Sequence, residues 1–278
     1  MELGVNVPNF GPGADPGRLR DWAQVVEGLG FDLLMVSDHV VITPDVAAQY
    51  PAPFYEPFTA LSWLAGVTRR VRLGTTVLVA PYRHPLLVAR MAANLDALSG
   101  GRLVLGVGAG WAREEFAALG AEFEERGRST DELLRTLRAT WEDPGYRCGR
   151  IPLWVGGHSD AALRRAVRFG DAWHPLRFTM PWFEERAGRL AAVAAAEGRP
   201  VPALAPRIVL RVTAADLAER RAGEGSIDQV VGDLARLRRL GAASVLLDPF
   251  GGDPEETRRP EDAWRALAAV AARRKEIA

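Results

Sequence analysis

The sequence predicts a parallel α/β fold, a (β/α)8 TIM barrel forming one domain over residues 1–278. Three observations carry this. One unit repeats along the chain: an apolar run, a Gly or polar turn, then a helical period. The runs are continuous rather than alternating, as expected of strands buried on both faces of a parallel sheet. Finally, a chain of 278 residues holds eight such units, and barrels of about 250 residues are single domains. An open doubly wound sheet uses the same units, but eight of them at this length favour closure.

Leu3–Val7 reads as the first strand. Asp15 and Pro16 start the first helix, a cap followed by a proline whose missing N–H costs nothing there. Leu19, Trp22, Ala23 and Val26 then recur at helical spacing, and Gly30 precedes the second strand, Leu33–Val36. Helix Phe58–Thr68 leads to strand Val71–Val79, and helix Pro85–Leu98 to strand Leu103–Val107. Helical material from Arg113 to Trp141 precedes strand Leu153–Val155. Ser159 caps helix Asp160–Phe169 before Ala172–His174. Helix Pro181–Glu197 precedes strand Arg207–Val212. Ser226 and Gln229 form a capping box for a helix that ends at Gly241, before strand Ser244–Leu247. Pro260–Lys275 is the last helix. The loop Val40–Glu56 follows strand two and is long enough to cover a site there.

Lys+Arg and Asp+Glu both number 35, so no general attraction to nucleic acid or anionic membrane is expected. Cys148 is the sole cysteine, which excludes an intrachain disulfide and fits a cytoplasmic setting. The segment Met1–Val5 has no basic run of the secretory kind, and no stretch approaches the ~18 apolar residues needed to span a bilayer. Cys and His show no metal-ligand spacing, so no metal is expected.

In a barrel, chemistry sits where strands end. Those ends carry Asn6 to Asn9, Ser37-Asp38-His39, Thr75-Thr76-Val77, Gly106 to Trp111, Gly156-Gly157-His158-Ser159 and Trp173-His174. His39 suits proton transfer near neutral pH, with Asp38 as its neighbour; it reads equally as a structural loop residue. Gly156 to Ser159 open a helix whose free amides favour an anion, or else form a plain βα turn with Ser159 as cap. Gly106, Gly108 and Gly110 read either as room for a flat ring or as a glycine-rich corner. Trp154 reads as core, and Glu114 and Glu115 as a solvated helix face.

Assembled in order, Ser37-Asp38-His39, Arg72 to Leu78, His84-Pro85, Leu95 to Arg102, Leu105 to Trp111 with Glu114-Glu115, Trp154 to Gly157 and Gly170 to Trp173 resemble the luciferase-like monooxygenase superfamily. Within it they resemble the coenzyme F420-dependent oxidoreductases, over most of residues 1–175. The resemblance implies a luciferase-like barrel with a cofactor ring across the strand ends. Asn6, Asp38, Thr75, Thr76, Val77, Gly108, Gly156, Gly157, His158 and Ser159 would hold the cofactor, with a cis peptide at Thr76-Val77. His39 and Asp38 would serve catalysis, and a homodimer is implied. Sugar-phosphate dehydrogenases of the group carry a Trp shortly after the Asp-His and a Glu directly after the strand-four glycines. Thr43 and Trp111 stand there instead, and the Trp141–Ile151 connection is short.

The expectation is therefore an F420-dependent oxidoreductase moving a hydride to or from a small organic substrate. An FMN-dependent monooxygenase is the second reading, and a non-catalytic flavin-binding barrel the third. The presence of His39 argues against the third.

Overall fold

A computed structural model describes residues 1–146 and 148–277. The strands are β1 (Glu2–Asn6), β2 (Leu33–Val36), β3 (Arg72–Val79), β4 (Leu103–Gly108), β5 (Leu153–Gly156), β6 (Ala172–His174), β7 (Ala203–Leu204), β8 (Arg207–Val209), β9 (Arg211–Val212), β10 (Glu224–Gly225) and β11 (Ser244–Asp248). The helices are α1 (Pro16–Gly28), α2 (Pro44–Ala47), α3 (Pro57–Val67), α4 (Pro85–Ser99), α5 (Arg113–Ala118), α6 (Arg126–Thr140), α7 (Asp160–Phe169), α8 (Met180–Ala196), α9 (Ile227–Arg239), α10 (Pro260–Ala272) and α11 (Arg274–Ile277).

The sheet runs β7-β6-β5-β4-β3-β2-β1-β11-β8. β7 and β8 are two ends of one segment: β7 pairs with β6 and β8 with β11, both parallel, so the sheet closes on itself. The expected strand Arg207–Val212 is thus shifted and broken. Pro206 has no N–H to give the ladder, and its carbonyl accepts from Leu246 while Ala205 donates to Trp173. β9 leaves the barrel to form a two-strand ladder with β10.

The local signals work as read. Asp15 accepts from the Arg18 amide at the start of α1, and Ser226 and Gln229 close the capping box of α9. The stretch Arg113 to Trp141 divides into α5 and α6, and the final helix breaks at Arg273. The Trp141–Ile151 connection holds one 3-10 turn, Pro144–Tyr146; position 147 lies outside the described residues.

Side chains alternate in and out along each strand, and this sorts the barrel interior into layers. Leu33, Met35, Val104, Trp154, Ala172, Ala205 and Leu246 form a buried apolar cluster inside the barrel, which places Trp154 in the core. One step nearer the C-terminal strand ends, the same faces present Asn6, Thr76, His174, Arg207 and Asp248, all buried. The outward faces pack with the helices into a larger core that includes Trp22, Leu61, Leu134 and Trp173. No helix among the described residues is long and apolar enough to cross a membrane.

Candidate active site

The polar layer is a closed network. Arg207 donates through two nitrogens to one Asp248 oxygen, Oδ2, at 2.6 and 3.0 Å, both side chains almost wholly buried. Asn6 Nδ2 donates to the other Asp248 oxygen at 3.0 Å. Arg207 also donates to the Thr76 carbonyl at 2.8 Å and to Thr76 Oγ1 at 3.2 Å. Thr76 Oγ1 lies 2.8 Å from His174 Nε2, and His174 Nδ1 bonds to the Ala205 carbonyl. The carbonyl can only accept, so the proton is on Nδ1. Burial pushes the His174 pKa down to about 4, with Arg207 adding to the effect.

Asn6 and Thr76 thus belong to this layer, while Thr75, one step along β3 and buried, donates its Oγ1 to the Gly106 carbonyl at 2.7 Å. In this layer Asn6 Oδ1 is buried with no partner among the described residues. The peptide Thr76-Val77 is cis, as the resemblance implied. Val77 is the half-exposed residue at the end of β3.

The glycines of β4 serve that turn. A Cβ on Gly106 would lie 2.2 Å from the Thr75 carbonyl oxygen, and one on Gly108 would lie 2.5 Å from Val77 Cγ2. The room expected for a ring at Gly106 and Gly108 is occupied by the neighbouring strand, since only a hydrogen fits between them.

At the end of β2, His39 Nδ1 lies 2.6 Å from Glu115 Oε2. Glu115 also accepts from Tyr82 Oη at 2.9 Å and from the Val40 and Val41 amides at 2.6 and 3.1 Å. It is fully buried, so the solvated-face reading of Glu115 is corrected; its neighbour Glu114 is exposed. Burial alone would raise the Glu115 carboxyl, but the His39 and Val40 hydrogen bonds more than reverse it and hold it below its ordinary value. Burial and that carboxylate push the Tyr82 hydroxyl up, which keeps it a donor. Glu115 stands four positions beyond Trp111, on the first turn of α5, and supplies the carboxylate that the strand-four glycines do not directly precede. The sequence signal for it was its place beside the apolar Phe116 and three residues after Ala112, which marks the buried face of a short helix.

Asp38 turns away from His39. Its carboxylate takes both Arg83 nitrogens at 2.7 and 2.8 Å and the Val79 amide at 2.8 Å. Burial pushes that carboxyl above its ordinary value, against the pull of Arg83. Arg83, unremarked in the sequence, also binds Glu56 at 2.9 Å. The Val40–Glu56 loop is thus tied at one end to Glu115 and at the other to Arg83. It folds over the mouth, bringing Tyr50 and Phe54 within 5.3 and 5.5 Å of the His39 ring, with Trp111 at 5.7 Å.

The end of β5 is built differently. Gly157 has φ +118, which favours glycine, and a Cβ there would meet Ala162 Cβ at 2.9 Å. Ser159 accepts from the Ala162 amide. The amides of His158, Ser159, Asp160 and Ala161 have no acceptor among the described residues. Arg186, from α8, reaches the His158 carbonyl at 2.9 Å and Asp160 at 2.7 Å, and its buried Nε has no partner. His158 packs on Trp182 at 4.7 Å and accepts from the Leu176 amide; burial lowers its pKa, so it is neutral. Trp173 donates to the Gly157 carbonyl at 2.9 Å, which fixes the turn from beneath. Among the described residues no group of three His, Cys, Asp or Glu could hold a metal ion.

Comparison with known proteins agrees with this geometry. The luciferase-like monooxygenase family model matches residues 1–222. A phthiodiolone/phenolphthiodiolone dimycocerosates ketoreductase of Mycobacterium kansasii is 31% identical over 279 residues, covering 86% of this chain and 75% of that protein. An uncharacterised Mycobacterium bovis protein is 32% identical over 180 residues; the match covers 54% of this chain and 62% of that protein, under two thirds of its length. Among solved structures, the F420-dependent tetrahydromethanopterin reductase of Methanopyrus kandleri superposes with TM-score 0.74 at 17% identity, covering 98% and 97% of the two chains. The oxygenating constituent of 3,6-diketocamphane monooxygenase of Pseudomonas putida, in complex with FMN, gives 0.74 at 15%, covering 98% and 96%. At these identities the structures speak for the fold. The family match, together with the ketoreductase relative, shows that this chain belongs to the luciferase-like monooxygenase family.

Proposed function

We propose that the protein is a coenzyme F420-dependent oxidoreductase acting on a small organic carbonyl or alcohol, with His39 as its acid/base group. The observation that carries this is the His39–Glu115 pair, enclosed by Tyr50, Phe54 and Trp111 at the strand ends. The ketoreductase relative supports the carbonyl chemistry.

The residues fit a flavin-type cofactor. The unfilled amides at the start of α7, the cradle at Gly157 and the nearby Arg186 suit a phosphate, and Val77 and Gly156 offer surface for a flat ring. A bound deazaflavin supplies or accepts the hydride. Glu115 holds Nδ1–H of His39, so Nε2 faces the mouth with a free lone pair or proton. As a carbonyl is reduced, Nε2–H gives its proton to the oxygen that becomes the hydroxyl; in the reverse direction Nε2 takes it. Glu115, which stays ionised because of its hydrogen bonds, balances the charge that His39 carries before it gives the proton or, in the reverse direction, after it takes it. The aromatic rings exclude water from the transfer.

The FMN-dependent monooxygenase reading uses the same scaffold and is supported by the FMN-bound structural neighbour. Titration of the protein with F420 and with FMN, followed by anaerobic turnover with ketones, separates the two. Tight FMN binding, weak F420 binding and a strict oxygen requirement would replace the first reading by the second. A homodimer completes the proposal: Trp63 on α3 and Leu87 and Leu98 on α4 are 41%, 52% and 73% exposed, apolar surface that a second copy would cover. Sedimentation equilibrium reading a monomer at working concentration would refute it.

A further inference from the structure

The ends of β1, β6, β8 and β11 surround a cavity of about 480 Å³, a size that takes a small molecule. Four arginines line it: Arg177, Arg211, Arg221 and Arg259. None of their guanidinium groups has a hydrogen-bond or ion-pair partner among the described residues.

Acidic residues line the same cavity, but their carboxylates are committed. Glu224 accepts the Arg221 amide at 2.9 Å, Asp253 the Glu255 amide at 3.0 Å and Glu256 the Gly251 amide at 2.7 Å; Asp262 pairs with Arg265. These bonds shape the loops and leave the guanidinium groups uncommitted. Arg177 adds an independent sign. It is the non-glycine residue with positive φ, +50, among the described residues, a conformation costing about 1–3 kcal/mol that tends to persist at ligand-binding positions. Loops after the seventh and eighth strands of a barrel are also a recurrent place for binding an oxyanion.

Packed aromatic rings stand between the cavity and the His39 mouth. Phe250 lines the cavity and packs on Phe10 at 4.9 Å and Tyr50 at 6.2 Å, while Tyr50 lies on His39. We propose that this cavity is an oxyanion subsite. It receives a carboxylate or phosphate at one end of the substrate, with an apolar stretch along Phe250 and Tyr50 and the reacting carbon beside His39. Calling the ligand a substrate rests on the oxidoreductase reading above; the existence of the subsite does not.

The test is calorimetric titration of the full chain, without redox cofactor, with inorganic phosphate and in a second arm with glutarate. At least one should bind, the tighter arm naming the group. Binding should weaken about tenfold or more in Arg177→Gln/Arg211→Gln, since charge-assisted bonds are the strong ones, and should survive Gly157→Asp. Arg221→Gln/Arg259→Gln, at two exposed positions, gives a second weakened variant should the first not fold. No binding of either anion, or loss in Gly157→Asp but in neither arginine pair, overturns the subsite. Retained anion binding beside absent redox turnover with any substrate would instead sink the oxidoreductase reading. If turnover is found only with uncharged substrates, and its KM is unmoved in the arginine variants, the link between subsite and substrate is overturned.

Discussion

The ends of β2 and β4 and the end of β5 lie on the same rim and are built on opposite plans. At the first, Glu115 alone takes hydrogen bonds from His39, Tyr82, Val40 and Val41, and Asp38 takes three from Arg83 and Val79. At the second, the amides of His158 to Ala161 have no acceptor among the described residues. Buried polar groups normally find partners within the fold. A saturated cluster is therefore one whose geometry is set before any ligand arrives, which suits a proton donor that must stand in one place. The amides at the start of α7 sit at half-exposed to exposed positions and are the orphan donors of a helix N-terminus, open to water or to an anion, which suits binding. In the proposed function the difference separates what would position the chemistry from what would hold the cofactor, and it can be broken from either side.

The largest effect is expected on the saturated side. His39→Ala should lower turnover by roughly 10²–10⁴ with cofactor affinity unchanged; undiminished steady-state turnover would send the proton by another route. Glu115→Ala should cost about as much in rate. It should also destabilise the fold by about 3–5 kcal/mol, because it strands a buried cluster, as read by urea unfolding. Glu115→Gln, which keeps acceptors for the amides, should recover much of the stability and little of the rate. If Gln restores both, Glu115 is only a spacer.

Next comes the polar layer. The native His174 pKa of about 4 lies below the ~6.5 of an unfolded histidine. As pH falls through 6.5 the unfolded chain takes the proton first, so stability drops between pH 6.5 and about 4 and is unaffected above that window. The total loss from this group is about 3 kcal/mol. Unfolding of the wild type should be steeper in pH over that window than unfolding of His174→Gln; parallel curves would show that the layer takes up the proton without penalty.

On the unsaturated side, Gly157→Asp should weaken cofactor binding by about tenfold to a hundredfold through charge repulsion, and should cost about 1–3 kcal/mol of stability, since φ +118 and the Ala162 contact strain any side chain there. Equal affinity in a folded variant would remove phosphate from this rim. The smallest effect is expected at Gly108→Ala, where the added methyl meets Val77. An overpacking cost of about 1–3 kcal/mol, with turnover falling modestly, would locate the role of Gly108 in strand packing. A lost cofactor and an intact fold would return it to the cofactor.

Much of this was legible in the sequence, and the exceptions have physical causes. Caps, glycine stops and apolar runs are local signals, so Asp15, Ser226 with Gln229, and strands such as Ala172–His174 could be read directly. The Thr76-Val77 peptide and the position of His39 came from a resemblance carried by motifs at strand ends. What escaped was partnership at long separation. Glu115 lies 76 positions from His39, so the helical spacing from Ala112 and Phe116 could mark it as the inward member of the acidic pair without naming its partner. Arg207 read as one more strand residue, since its bond to Thr76 crosses the barrel. The strand Ala203–Leu204 was missed because the expected strand began only after Pro206, and that strand divides at Leu210 into β8 and β9.

Trp111 has a consequence of its own. Its indole is 44% exposed and stands edge-on to His39 at 5.7 Å. A protonated imidazole dims the emission of an indole beside it, so part of the protein's fluorescence follows the charge on His39. Trp63 is exposed to a similar degree, 41%, but sits on α3, away from the mouth. A water-borne quencher therefore reaches the indole that senses the mouth, and reaches Trp63 only where no second copy covers α3; a molecule settling over His39 should shield the first and leave the second as it was. The protein carries in these two rings a signal and its own reference, usable for finding ligands before any turnover assay exists.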